Sequence, residues 1–133
     1  MGAYSDIRAA LDTILAAHAN AESVPVAWEN REYAPDLSTP YFAASLLPVQ
    51  TGDVGLASGS NEDFSGLYQV TVNVAKGSQT GDLRALVDGV LVAFSRGLKQ
   101  DGVLIEKSYA APALTINDAW HAVPITVRYR LFA

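Results

Sequence analysis

A strand, a tight turn and an amphipathic helix follow one another between residues 64 and 97, and this unit constrains the fold more than any other stretch. Within residues 67–75, one strand face carries the large apolar residues Tyr68, Val70, Val72 and Val74. The opposite face carries the polar residues Gln69, Thr71 and Asn73. A period of two with β-branched residues is typical of a strand that buries one face. The polar face is expected to meet water or a partner.

The helix of this unit is predicted over residues 81–96. Its large apolar residues recur every three or four positions and form one stripe: Leu83, Leu86, Val87, Val90, Leu91 and Phe94. Thr80 is the expected N-cap, and Gly97 is the expected left-handed terminator. Because the connection from the strand to Thr80 is so short, the helix is predicted to fold back over the apolar face of the strand.

Periodic patterns predict a second helix and further strands. The helix is expected over residues 5–19, and one of its faces carries Ile7, Ala10, Leu11, Ile14, Leu15 and His18. Further strands are expected at residues 24–30, 40–49, 102–107, 110–116 and 119–132. Residues 40–49 are apolar on both faces, which requires cover on both. Pro124 predicts that part of the last strand is an edge or carries a bulge.

The length of the chain fits one domain and is too short for two. It has 133 residues, half of them hydrophobic, and no linker or internal repeat divides it. We therefore predict an α+β fold spanning residues 1–133. In this single small domain, two helices pack on one face of a mainly antiparallel sheet of about five to six strands.

Charge and hydropathy narrow the classes of partner. The net charge is −5 and the basic residues are dispersed, which disfavours nucleic acid as a primary partner. No apolar run approaches the roughly 20 residues of a membrane-spanning helix, and the first residues do not resemble a secretory signal. A soluble protein of the cytoplasm, without a membrane partner, is the default expectation.

A search for catalytic or metal-binding patterns yields weak candidates only. His18 and His121 are the possible general bases, but packing roles explain both better. The chain has no Cys, and no motif surrounds a serine nucleophile. Asp53, Glu62 and Asp63 lack the spacing of a calcium loop. We therefore expect no enzyme activity, no cofactor and no metal.

Two regions are candidates for contact with other proteins. Trp120, Arg128 and Arg130 share the outward face of the last predicted strand. This face is either a patch that binds an anion or a protein, for which Arg and Trp are suited, or an ordinary solvated strand face. Residues 50–63 form a long segment rich in Gly, Ser and Asp, and loops of this length are usually functional or disordered.

Five segments, in order along nearly the whole chain, carry a resemblance to a known family. They are SDIRAALDTIL (5–15), VAWEN (26–30), PYFAASLLP (40–48), GLYQVTV (66–72) followed by a helix ending in FSRG (94–97), and NDAWHAVPITVRYR (117–130). Each is a weak packing or turn signal, and their order and spacing make the match specific. Together they resemble the tail terminator (tail completion) proteins of long-tailed bacteriophages and prophages.

The resemblance implies a structural protein and no enzyme. Such proteins assemble as a hexameric ring that caps the last ring of the tail tube, stops tail polymerisation and offers a surface for head attachment. The implied partners are further copies of the chain, the tail tube protein and head–tail connector proteins. The implied location is the host cytoplasm during assembly and then the virion tail.

The same resemblance suggests which residues meet the partners. Strand faces with the last strand would build the subunit interface, through Gln69, Thr71, Asn73, Trp120, Arg128 and Arg130. Residues 50–63, with Asp53, Glu62 and Asp63, would reach a neighbour or the tube. Two alternatives remain open: another neck or minor tail component such as a head–tail connector, and a small-molecule-binding domain or enzyme that uses His18 or His121.

Overall fold

The computed structural model describes residues 3–28, 40–47, 50–53, 62–75, 80–111, 114–115 and 120–132. The elements in chain order are α1 (Ala3–Glu22), β1 (Val26–Ala27), β2 (Tyr41–Leu46), β3 (Gln50–Asp53), β4 (Glu62–Ala75), α2 (Thr80–Ala93), β5 (Lys99–Gln100), β6 (Val103–Ala110), β7 (Leu114–Thr115) and β8 (Trp120–Phe132). Neither helix is long and apolar enough, within the described residues, to span a membrane.

The strands form one mixed sheet that is mostly antiparallel. Six strands follow the order β1-β2-β4-β8-β6-β5, while β3 pairs with β4 and β7 pairs with β8 outside this path. Only β1 and β2 pair in parallel. The long strands β4 and β8 form the centre, in register from Asp63↔Phe132 to Ala75↔Trp120. These features confirm the predicted α+β fold.

The core lies between one face of the sheet and the two helices. The apolar face of β4 is buried as predicted, through Tyr68, Val70, Val72 and Val74. The predicted face of α1 is buried through Ile7, Ala10, Leu11, Ile14 and Leu15. The Tyr68 hydroxyl donates a hydrogen bond of 2.6 Å to Asp12 Oδ1 and so ties α1 to the central strand.

Helix α2 packs less deeply than its apolar stripe predicts. Of that stripe, only Val90 and Phe94 are fully buried, and the other members are half-buried. The helix ends at Ala93, and Gly97 lies in the turn that follows, where it has a φ of 91° and donates its N–H to the Ile105 carbonyl at 2.8 Å. The prediction that Gly97 terminates the helix is therefore wrong, although its left-handed backbone is as expected. The predicted cap at Thr80 lies outside the described side chains.

The prediction of a continuous loop over residues 50–63 is wrong at both ends. Gln50–Asp53 forms β3, and β4 already begins at Glu62, so these segments form an antiparallel hairpin. The sequence of β3 lacks alternation, and its strand conformation depends on pairing with β4. Residues 54–61 lie outside the described residues.

Pro124 lies in an interior strand, which corrects the prediction of an edge. Strand β8 is flanked by β4 on one side and by β6 and β7 on the other. The Pro124 carbonyl accepts a bond from the Ala111 N–H, so the Pro124 nitrogen faces the same side. On that side the pairing with β6 ends at Ala110↔Ile125, and the pairing with β7 starts at Leu114↔Ala122. The missing N–H therefore falls between two partner strands, and the bulge lies in β6 instead.

The contact between the helices leads to a stability prediction at Gly89 of α2. A Cβ atom at Gly89 would lie 3.1 Å from His18 Cε1, and the His18 ring stacks on Phe42. We expect Gly89→Ala to gain little in the native chain, because this clash offsets the roughly 1 kcal/mol helix propensity of alanine. In a chain with His18→Ala, the same change should stabilise by about 1 kcal/mol. Urea unfolding of the native chain, the two single variants and the double variant measures the coupling free energy between positions 18 and 89. Additive changes in the free energy of unfolding would contradict the close contact.

Candidate interaction surface

The sheet face opposite the helices, here called the uncovered face, carries most of the residues predicted to meet partners. Both helices pack on the other face, and no described element covers this one. Alternation along the strands assigns to it Tyr41, Ala43 and Ser45 of β2, Leu67, Gln69, Thr71 and Asn73 of β4, and Trp120, Ala122, Thr126, Arg128 and Arg130 of β8. The uncovered face is apolar at one end of β8 and charged at the other.

At the apolar end, two of the predicted contact residues are buried within the chain. Trp120 shares the face with the arginines as predicted, but it is only 6% exposed and meets the Tyr41 ring edge-on at 5.0 Å. Asn73 is 2% exposed, and its Nδ2 donates to the carbonyls of Thr71 and Tyr41 at 3.2 and 3.4 Å. The expectation that Asn73 is free for a partner is therefore wrong for the single chain. Cross-strand packing satisfies both side chains internally.

Gln69 and Thr71 lie in the middle of the uncovered face. Both are half-buried, and they stand opposite Thr126 and Pro124 of β8. They lie between the apolar end and the charged end, and neither side chain carries a charge. Their position leaves part of each side chain accessible, as the alternation in β4 predicts.

The charged end is organised around Glu106 of β6. The register of β6 against β8 shifts between Ile105 and Lys107, so Glu106 is the extra residue of a bulge. The Glu106 carboxylate lies 3.7 Å from Arg128 Nε and 3.5 Å from Arg130 Nε. The predicted pair of arginines thus has an acidic partner that the sequence patterns did not reveal.

Lys107 makes this end basic in spite of Glu106. It stands directly opposite Arg128 in the register, and its Nζ lies 5.6 Å from the centre of the Tyr109 ring. Like charges that face each other across two strands are destabilising. The Glu106 carboxylate is shared by Arg128 and Arg130, and an acidic partner would relieve the remaining repulsion between Lys107 and Arg128.

Two shallow grooves flank strand β6 at Lys107. The groove on the uncovered face has a volume of about 660 Å³ and is lined by Leu47, Ser65, Gly66, Leu67, Lys107, Tyr109 and Arg128. The groove on the helix side has about 640 Å³ and is lined by Asp88, Leu91, Val92, Ser95, Arg96, Lys107 and Ser108. Lys107 contributes to both, because the outer edge of β6 separates them.

The predicted acidic contact residues lie on β3 and on the start of β4, the strand that pairs with β8. Asp53 ends β3 and pairs with Glu62, the first residue of β4, and Asp63 follows next to it. The described backbone therefore gathers three acidic positions at the end of one hairpin. Their side chains lie outside the described part of the structure.

Neither histidine lines either groove. His18 of α1 lies against Gly89 of α2 and stacks on the Phe42 ring, and its Nε2 is buried without a hydrogen bond within the described ranges. His121 is half-buried on β8, opposite Val74. Among the described residues, no three His, Asp or Glu side chains are grouped so that they could bind a metal ion.

The sequence patterns missed Glu106, Lys107 and Tyr109 as parts of this surface. The strand predicted over residues 102–107 was too short, and the bulge interrupts the alternation that would have revealed its faces. A signal was present in the alternation of Lys107, Ser108 and Tyr109, which continues the strand beyond the predicted end.

Comparisons with known proteins find a solved structure of the same fold and a matching family model. A solved structure with 24% sequence identity superposes with a TM-score of 0.76, covering 100% of this chain and 97% of the other, which shows the shared fold. A comparison with curated proteins finds no match. The family model described as phage tail terminator protein matches residues 6–129. The chain therefore belongs to the phage tail terminator protein family, whose members are structural proteins of the phage tail.

Proposed function

We propose that the protein forms a hexameric ring that caps the last ring of the tail tube, stops tube polymerisation and presents a surface for head attachment. The family match over residues 6–129 carries this proposal. In it, the protein acts by binding and not by catalysis. Its partners are further copies of itself, the tail tube protein and a head–tail connector protein, met in the host cytoplasm during assembly.

The distribution of charge supports assembly into a ring. A ring requires two different surfaces on each subunit, which meet head to tail. The outer edge of β6, with Lys107, and strand β3, with Asp53, are two such surfaces, because β8 and β4 separate them in the sheet. In this proposal the accessible residues Gln69, Thr71, Arg128 and Arg130 face a neighbouring subunit or the tube, with Asp53, Glu62 and Asp63 on the opposing surface.

Deletion of the gene from the parent phage or prophage tests the proposal. We expect tails of irregular and excessive length that carry no heads, because nothing would stop the addition of tube subunits. Electron microscopy measures the length distribution of the tails. Expression of the native chain in trans should restore uniform tails that carry heads.

The outcomes of this deletion separate the alternatives. Tails of normal and uniform length that lack heads would point to a head–tail connector and would contradict termination. Normal tails that carry heads would remove both roles. A His18→Ala, His121→Ala double variant that complements fully would dismiss a function based on the histidines.

A further inference from the structure

We propose that the outer edge of β6 at residues 107–110 pairs with strand β3 of a second copy of this chain, so that the sheets of adjacent copies join. The inference rests on the proposed function, since this contact is the one repeated around the ring. The contact between copies would use the outer edge of β6 and strand β3, and not the faces of the last strand β8.

The outer edge of β6 is open over this segment in the described structure. Strand β5 covers only the start of β6, with Lys99 opposite Leu104 and Gln100 opposite Val103. The Ile105 N–H donates to the Leu98 carbonyl at 2.8 Å, and beyond that point the described residues give β6 no strand partner except β8. An edge of this kind presents unpaired main-chain groups that can bind another strand.

The direction of the main-chain groups follows from one hydrogen bond. The Ala111 N–H points towards β8, because it donates to the Pro124 carbonyl at 2.8 Å. Main-chain groups alternate in direction along a strand, so those of Ser108 and Ala110 point away from β8. Both residues therefore offer a donor and an acceptor to a strand that arrives at the outer edge.

The two grooves beside β6 would receive the side chains of that strand. An extended segment that adds to a sheet edge directs its side chains alternately to the two faces, and pockets on those faces give specificity. Lys107 borders both grooves, and Tyr109 is 45% exposed beside one of them. Both faces of the edge thus have space for an added strand.

The charge along the outer edge of β6 indicates which strand binds there. An edge lysine disfavours pairing with neutral or basic strands. Lys107 stands beside Arg128, and the groove on the helix side is lined by Arg96 as well as Asp88, so Lys107 leaves the edge with a surplus of positive charge that favours an acidic segment. Residues 50–63 contain Asp53, Glu62 and Asp63 and no basic residue. Strand β3 ends in Asp53 beside Glu62 of β4, pairs only with β4 among the described residues, and is separated from β6 by β4 and β8.

The strand directions permit repeated pairing. Strand β4 is antiparallel to both β3 and β8, and β8 is antiparallel to β6, so β6 runs with β4 and against β3. A second copy displaced along the sheet therefore brings its β3 antiparallel to β6. This contact joins two different surfaces, which is the kind of contact that a closed ring of identical chains repeats.

Cross-linking of introduced cysteines tests this contact. The chain contains no cysteine, so the introduced thiols are the only ones present. Full-length chains with Thr51→Cys and with Ser108→Cys are mixed and treated with a short bis-maleimide. We expect a species of twice the 14.1 kDa chain mass from the mixture, at more than about tenfold the yield of either variant alone. Equal yields from the single variants, or no cross-link at millimolar concentration, would overturn the proposal.

Charge reversal tests the identity of the occupant. Adding Lys107→Glu to the Ser108→Cys chain should lower the yield about tenfold, and Asp53→Lys on the Thr51→Cys chain should restore it. Arg84→Glu on the exposed side of α2 is the matched control and should leave the yield unchanged. Circular dichroism confirms that each variant is folded. An unchanged yield with Lys107→Glu would show that β3 is not drawn to this edge by charge.

Isolated tails separate a failure of this inference from a failure of the proposed function. Tails that contain the double-cysteine chain Thr51→Cys, Ser108→Cys should yield cross-linked multimers up to the size of the closed ring. Tails that contain the chain without such multimers would overturn the edge contact and leave termination standing. Absence of the chain from tails would refute the proposed function. The cross-linking of the mixed variants in solution would then still show whether β6 pairs with β3.

Discussion

Replacing Phe94 by alanine is expected to lower the free energy of unfolding by about 3–5 kcal/mol, the usual cost of removing a buried phenylalanine ring. Phe94 directly follows α2, is fully buried and has its ring centre 5.9 Å from that of Tyr68. Together with Val90 it fixes the end of α2 to the sheet, since the rest of the helical stripe is only half-buried. Urea unfolding followed by circular dichroism measures the loss.

Val92 provides the matched control for this experiment. It lies in α2, two residues before Phe94, and is 73% exposed. Val92→Ala should change the free energy of unfolding by no more than about 0.5 kcal/mol, as surface substitutions usually do. Equal losses for the two variants would show that α2 is not anchored through Phe94.

Thr126→Pro is expected to destabilise the protein by roughly 3 kcal/mol or more. Thr126 pairs with Tyr109 on one side and with Gln69 on the other, in the interior strand β8. By alternation from Pro124, its N–H faces β6. The substitution therefore removes a ladder bond and leaves a carbonyl of β6 without its donor. Thermal unfolding should show a large fall in Tm or no cooperative transition.

The native Pro124 serves as the comparison for that variant. Its nitrogen faces the interval between the pairing of β6 and the pairing of β7. Pro124→Thr should therefore not destabilise the protein by more than about 1 kcal/mol, since no ladder bond is lost. A similar large loss of stability in both variants would contradict this explanation. It would mean that the gap between the partners β6 and β7 is not the reason why β8 tolerates proline at position 124.

The candidate surface could be predicted in part. Arg128 and Arg130 were placed on the outward face by alternation alone, because a strand directs every second side chain to the same face. The burial of Trp120 and Asn73 on that face could not be predicted. It depends on Tyr41, which is distant in the sequence and reaches them only through the pairing of β2 with β4. Glu106 was missed because a bulge breaks the period that assigns faces.

The sequence by itself determined the local elements that have a strong period or a glycine in a turn: the buried faces of α1 and β4, the helix α2 and the left-handed backbone of Gly97. In these segments the spacing of apolar residues and the backbone freedom of glycine act within a few residues. Only the tertiary structure decided the neighbours of each strand, the strand conformation of Gln50–Asp53, the interior position of Pro124 and the open edge of β6. Strand pairing joins residues that are far apart in the chain, so no local pattern specifies it.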